Sequence, residues 1–188
     1  MKRIIIFASG SGTNAENIIR FFKNKKTAEV VLVLSNKKEA KVLERANEHK
    51  VPGMYFNRTL FYNTDYIVSF LKSLQPDLIV LSGFLWRIPE SIINSFPDNI
   101  VNIHPALLPK YGGKGMYGLH VHRAVVENNE TETGITIHYV NKNYDEGAVI
   151  FQASITVDPE DSAETLAQKV HSLEYEHFPV IIDQLLNG

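Results

Sequence analysis

The sequence predicts an α/β protein built on a mostly parallel sheet with helices on both faces. Three observations carry that prediction. Apolar runs of strand length recur without alternation, as expected where both faces of a strand are covered. Segments with apolar residues at helical spacing lie between them. The resulting β-α-β-α order is the pattern of parallel strands joined by crossover helices.

Taken in order, residues 3–8 (RIIIFA) form a continuous apolar strand. Residues 14–22 place Ile18, Ile19 and Phe22 at helical spacing. Residues 29–34 (EVVLVL) are the second strand, and residues 37–49 a helix with Asn36 as its cap and Glu39 three residues on. A short strand falls near residues 54–56. Residues 65–74 form a helix with Ile67, Phe70, Leu71 and Leu74 on one stripe, ended by Gln75-Pro76. Residues 77–81 (DLIVL) are a strand, and Pro89 suits the first turn of a short helix. Residues 100–103 are the next strand.

After this the pattern changes. Residues 120–128 read as helical, and residues 134–140 (GITIHYV) alternate. Residues 148–155 are another strand, separated from the last by the polar loop 141–147. An antiparallel or mixed extension of the sheet is expected. Residues 162–186 read as one long helix, capped by Asp161 with Glu164 closing the box and Pro179 as a kink. The stretch "YGGKGMYG", residues 111–118, is expected to be a mobile loop.

Composition narrows the function. The chain has 188 residues, 44% hydrophobic and 21% charged, as in a globular domain. A formal net charge of −2 without a basic run argues against a nucleic-acid binder. The absence of cysteine excludes disulfides, thiolate catalysis and cysteine-bound zinc. No apolar stretch is long enough for a bilayer. Gly10 and Gly12 interrupt the first apolar run too early for a signal peptide, so a cytoplasmic protein is expected.

The turn "ASGSGTN" opens the first helix. Gly10 and Gly12 permit close backbone approach, Thr13 and Glu16 read as a capping box, and N–H groups of Gly12, Thr13 and Asn14 would face the mouth of the sheet. That is an anion site, although an ordinary strand-to-helix turn reads the same way. The lysine of a nucleoside-triphosphate loop is missing. Ser35-Asn36 ends the second strand where a dinucleotide fold carries an acid, which disfavours NAD.

The stretch "NIHPALLPK" puts Asn102 and His104 on one side of a strand end, because strands alternate with period 2. Pro105 then forbids further pairing. An amide and an imidazolium so placed suit a developing oxyanion. Asp145, in "NYDEGAVI", would hold the imidazole charged and oriented, although spacing alone does not bring it near. No serine or cysteine nucleophile is evident, so attack is expected from a substrate group such as an amine. His120 and His122 diverge on a helix, which disfavours a metal. His171, Glu174 and His177 depart from the zinc-helix spacing and read as surface or partner-facing residues. Phe84, Leu85, Trp86 and Ile88 suit either an apolar ligand slot or the core.

Together, "FASGSGTN", "LSGF", "NIHPALLPKY" and "HYVNKNYDEGAVIFQ" resemble, in order and over nearly the whole chain, the folate-dependent glycinamide ribonucleotide transformylases. The resemblance implies a single formyltransferase domain over residues 1–188, with a Rossmann-like, mostly parallel seven-stranded sheet. It implies transfer of the formyl group of 10-formyltetrahydrofolate, a co-substrate, to the amine of 5-phosphoribosylglycinamide in purine biosynthesis. By residue, Asn102, His104 and Asp145 match the catalytic trio, and His138 a nearby histidine of lesser role. Gly12, Thr13 and Asn14 match the phosphate cradle, and Glu174 an acidic contact to the same substrate. Leu85, Trp86, Arg87 and Ile88, with residues 140–145 (Val140 and Asn141 leading), match the folate pocket wall. Arg58 is the arginine nearest in sequence to a family folate contact. The glycine loop departs from the family, which often has Pro-Gly soon after "LLPKY". Small-molecule partners, no metal, and a monomer or homodimer are expected. Two other readings stay open: a formyltetrahydrofolate deformylase-like hydrolase using water as acceptor, and a non-enzymatic nucleotide-binding module.

Overall fold

The first apolar run lies in the interior of the sheet, paired on both edges, as an unbroken apolar strand requires. The computed structural model describes all 188 residues. The elements are β1 (Lys2–Phe7), α1 (Thr13–Lys25), β2 (Ala28–Ser35), α2 (Lys41–Glu48), β3 (Gly53–Tyr55), α3 (Arg58–Tyr62), α4 (Tyr66–Leu74), β4 (Leu78–Leu81), α5 (Glu90–Ser95), β5 (Ile100–His104), α6 (Leu119–Glu127), β6 (Glu132–Tyr139), β7 (Val149–Thr156) and α7 (Ala163–Asn187). They build one seven-stranded sheet in the order β3-β2-β1-β4-β5-β6-β7. β1 to β5 pair in parallel. β6 and β7 add the antiparallel extension that the alternation in residues 134–140 foretold.

Successive residues of β1 enter opposite cores. Ile4 and Ile6 pack with α1, α2 and α7 residues such as Ile18, Val42 and Phe178. Ile5 and Phe7 pack with Phe61, Ile67 and Ile92 from α3, α4 and α5. Phe56 is fully buried, stacked 4.9 Å from Phe61 and edge-on to Phe7 at 5.9 Å. Phe56→Ala is expected to cost about 3–5 kcal/mol of unfolding free energy, measured by denaturant titration.

The strand order reverses between β1 and β4, so the loops leaving their carboxyl ends diverge and open a crevice. The two loops are tied at its floor. Ser9 N–H donates to Gly83 O at 3.1 Å, and Leu85 N–H to Ser9 Oγ at 2.9 Å.

Several helix starts differ from expectation, and for Glu16 and Asp161 the reason is a competing ion pair. α1 has Gly12 as its N-cap with no side-chain bond. Glu16 instead pairs with Arg45, with Arg20 at 2.9 Å and with His49 at 3.1 Å, joining α1 to α2. α2 begins at Lys41 after Ala40, not at Lys37, and Asn36 is buried rather than capping. α7 is capped by Ser162 in a box with Thr165, one residue beyond the expected pair, and Asp161 binds Lys169 at 2.7 Å. α3, only five residues, is too short to show a period in sequence.

Pro179 does not end α7, which runs for 25 residues. Proline cannot donate to the carbonyl four residues back. That carbonyl, Tyr175 O, accepts from Asn17 Nδ2 on α1 at 2.9 Å. No helix is long and apolar enough to cross a membrane.

Candidate active site

The turn after β1 is pressed onto α2. Val42 N–H donates to Gly10 O at 3.2 Å, and Arg45 Nε to Ser11 O at 2.9 Å. Gly12 sits at φ +76°, and a Cβ there would lie 2.4 Å from Val42 Cγ2. Only glycine fits both the conformation and the space. The first-turn N–H groups of α1 have no partner within the helix and lie at its positive end. Asn14 Nδ2 donates to Glu174 Oε2 at 2.7 Å, while Asn14 Oδ1 is buried without a protein partner. Glu174 is 5% exposed, which corrects its surface reading, and burial pushes its carboxyl upward against the Asn14 hydrogen bond.

The end of β5 carries the second cluster. Asn102 and His104 follow Ile100 on one face, and the antiparallel register sets His138 of β6 opposite Asn102. Past Pro105 the chain passes through a cis Leu108–Pro109 bond to the glycine-rich loop. His104 Nε2 lies 2.7 Å from Tyr111 O. A carbonyl only accepts, so Nε2 carries a proton. His104 Nδ1 faces Asp145 Oδ2 at 3.5 Å. Both ring nitrogens therefore meet acceptors, an arrangement that the imidazolium satisfies and a neutral ring does not.

His138 Nδ1 likewise donates to Tyr139 O at 2.8 Å, leaving Nε2 to accept from Asn102 Nδ2 at 3.1 Å. That bond fixes the orientation of the Asn102 amide at the cavity wall. Asp145 Oδ1 is 3.6 Å from His138 Nε2, and Gly113 N–H donates to Asp145 Oδ2 at 2.9 Å. Asp145 sits in left-handed backbone at φ +54°. Gly147 secures the same loop: a Cβ there would fall 1.6 Å from Tyr139 O.

Burial pulls the His104 pKa below its usual value, opposed by the Asp145 charge and the Tyr111 carbonyl. Burial pushes the Asp145 carboxyl up, but the His104 charge and the Gly113 N–H oppose it, and the carboxyl stays below its usual range. The pair thus favours a carboxylate, while the desolvation of the imidazole is only partly offset by its two acceptors.

Both clusters face one cavity of about 650 Å³ at the crevice, a size typical of small-molecule sites. It is lined by Gly12, Thr13, Asn14 and Glu174 on one side and by Asn102, His104 and Asp145 on the other, with Leu85 between the loops. Tyr144 of the anticipated 140–145 wall lines it too, whereas Trp86, Arg87, Ile88, Val140, Asn141 and Arg58 do not. Ile88 is 4% exposed in the core beside Phe96, with Trp86 and Val140 packed at its edge. Arg87 donates to Lys142 O, and Asn141 Oδ1 accepts from Asn143 N–H. Arg58 stacks over Tyr62 and Trp86, 4.9 and 5.5 Å from the ring centroids. These residues buttress the loop that carries Leu85. His138 lies behind Asn102.

Lys37, Lys114, His122 and His171 are charged or titratable lining residues that the sequence did not mark as part of a site. Lys37, expected inside the second helix, belongs to the turn after β2. His122 is 1% exposed, its Nδ1 has no protein partner, and burial with the nearby histidines lowers its pKa to about 4. The apolar stripe of α6, with Val121 and Val125 buried, was the available signal that position 122 points inward.

A turn with free N–H groups facing an Asn/His/Asp cluster across one cavity, at a sheet's switch point, has the makings of a group-transfer site of the parallel α/β class. Residues 2–182 match the formyl transferase family, and the chain belongs to it. It is 36% identical to the phosphoribosylglycinamide formyltransferase of Haemophilus influenzae, over 100% of this chain and 89% of that protein. The Bacillus subtilis enzyme of the same name is 35% identical over 99% of this chain and 95% of its own. The crystal structure of phosphoribosylglycinamide formyltransferase from Bacillus halodurans superposes with a TM-score of 0.88 at 37% identity, covering 98% of this chain and 95% of that one.

Proposed function

We propose that this enzyme transfers the formyl group of 10-formyltetrahydrofolate to the amine of 5-phosphoribosylglycinamide, a step of purine biosynthesis. The observation that carries the reading is the meeting of Asn102, His104 and Asp145 in the cavity that also holds the Gly12–Asn14 turn. The family's named relatives support the choice of substrates.

The N–H groups of residues 12–14 hold the phosphate, and Glu174 with Asn14 Oδ1 receives donors of the same substrate. The folate supplies the formyl carbon, presented over Leu85. Two substrates held in one cavity turn a bimolecular encounter into a local one. As the amine nitrogen bonds to the formyl carbon, negative charge grows on the formyl oxygen. The free Asn102 N–H and the His104 positive charge stabilise it. Asp145 keeps that charge in place. The bond to the folate nitrogen then breaks, and one proton passes from the amine to that leaving nitrogen through water. His138 holds the Asn102 amide turned toward the formyl oxygen.

The test is tetrahydrofolate release followed spectroscopically, with and without phosphoribosylglycinamide. Release is expected only with the ribonucleotide present, one equivalent per formylated product. Equal turnover without it would make water the acceptor and the protein a hydrolase.

A further inference from the structure

Glu130 lies outside the cavity, in the turn between α6 and β6, yet it grips the segment on which both catalytic ionisable groups rest. Its Oε1 accepts from the Tyr111 hydroxyl at 2.9 Å, and both its oxygens accept from Lys110 Nζ, at 2.9 and 3.0 Å. Tyr111 is a non-glycine residue at φ +57°. Such backbone persists only where its surroundings hold it. The carbonyl of this same residue accepts from His104 Nε2, and two residues on the Gly113 N–H donates to Asp145 Oδ2. The stretch from Lys110 to Gly113 therefore touches the imidazole and the carboxylate on its inner side and Glu130 on its outer side.

We propose that Glu130 is a positioning residue: by clamping Tyr111 and Lys110 it fixes the Tyr111 carbonyl on His104 and the Gly113 N–H on Asp145. The Tyr111 hydroxyl is the working arm of the clamp. The Lys110 ammonium is exposed, and an ion pair of that kind contributes little by itself. The glycines that follow, at 112, 113 and 115, give the loop little stiffness of its own, so its entry must be fixed from outside.

The role rests on the formyl-transfer reading for its effect on turnover, but not for its effect on His104. Three further ionisable groups face the imidazole: Asp145 from the β6–β7 loop, His138 from β6 and His122 from α6. None of them contacts Glu130. The Tyr111 carbonyl favours the protonated ring, so loosening it lowers the proton affinity of His104.

The experiment combines steady-state kinetics with ¹⁵N-histidine NMR titration of the substrate-free protein, for Glu130→Ala, Tyr111→Phe and Glu130→Gln. Glu130→Ala and Tyr111→Phe are expected to lower kcat about tenfold with KM changed less than about twofold, and to move the His104 titration to lower pH. Glu130→Gln keeps an acceptor for the Tyr111 hydroxyl and recovers most of both losses, which separates position from charge. Wild-type His104 titration in Glu130→Ala and Tyr111→Phe overturns the proposal, even if either variant is less stable. A shifted titration in a protein without formyl transfer upholds the clamp and refutes the proposed reaction instead.

Discussion

Asp145→Asn is expected to lower kcat by about 10³-fold while KM for both substrates changes less than about threefold. The substitution conserves shape and an acceptor for the Gly113 N–H, so the loop is kept. What it removes is the charge. His104 already loses proton affinity to burial, and the carboxylate is the main force opposing that loss. Without it the ring becomes neutral, with the single proton held on Nε2 by Tyr111 O, and no cation remains to meet the formyl oxygen. The sign of the pH effect follows. His104 must be protonated to act, and its pKa falls, so the alkaline decline of residual activity moves to lower pH than in the wild type. Steady-state rates across pH check this directly. Unchanged kcat in the variant would remove Asp145 from the mechanism.

Gly12→Ala is expected to raise KM for phosphoribosylglycinamide by about a hundredfold and to destabilise the fold by about 2–4 kcal/mol, from left-handed strain and overpacking together. The new methyl meets Val42 at Cγ2, Cβ and Cα, all within 2.6 Å, so rotating one side chain gives no relief. Either the turn or α2 must shift, and the row of N–H groups shifts with it. Asn102, His104 and Asp145 lie across the cavity and keep their geometry, so kcat at saturation changes little. Denaturant titration and substrate-dependence curves separate the two effects. A variant with normal KM would show that the turn does not hold the phosphate.

Most of the sheet was legible because covered strands are written as unbroken apolar runs, and the antiparallel edge as alternation. The Asn102/His104 pair was legible for the same reason, together with Pro105 ending the strand. Asp145 was not legible from spacing, since a loop residue finds its partner only through tertiary folding; the family motif supplied it. Helix caps were misread wherever a stronger partner competed, as Arg45 and His49 do for Glu16. The slot residues were ambiguous because an apolar side chain reads alike in a core and in a ligand wall. Ile88 went to the core and Leu85 to the cavity. Among the histidines, His120 and His122 do diverge, and the inward one follows the apolar stripe of α6 rather than the H-x-H spacing.

The proline within α7 has a consequence for selectivity. The carbonyl it releases bolts α7 to α1, one residue along from Glu174 and three along from Asn14. The first-turn N–H groups of α1 and the buried acid are thereby mounted on two rods cross-pinned near both. On the proposed function their separation is a rigid gauge: a ligand whose phosphate and sugar hydroxyls match that span seats fully, and a shorter or longer homologue must forgo one end.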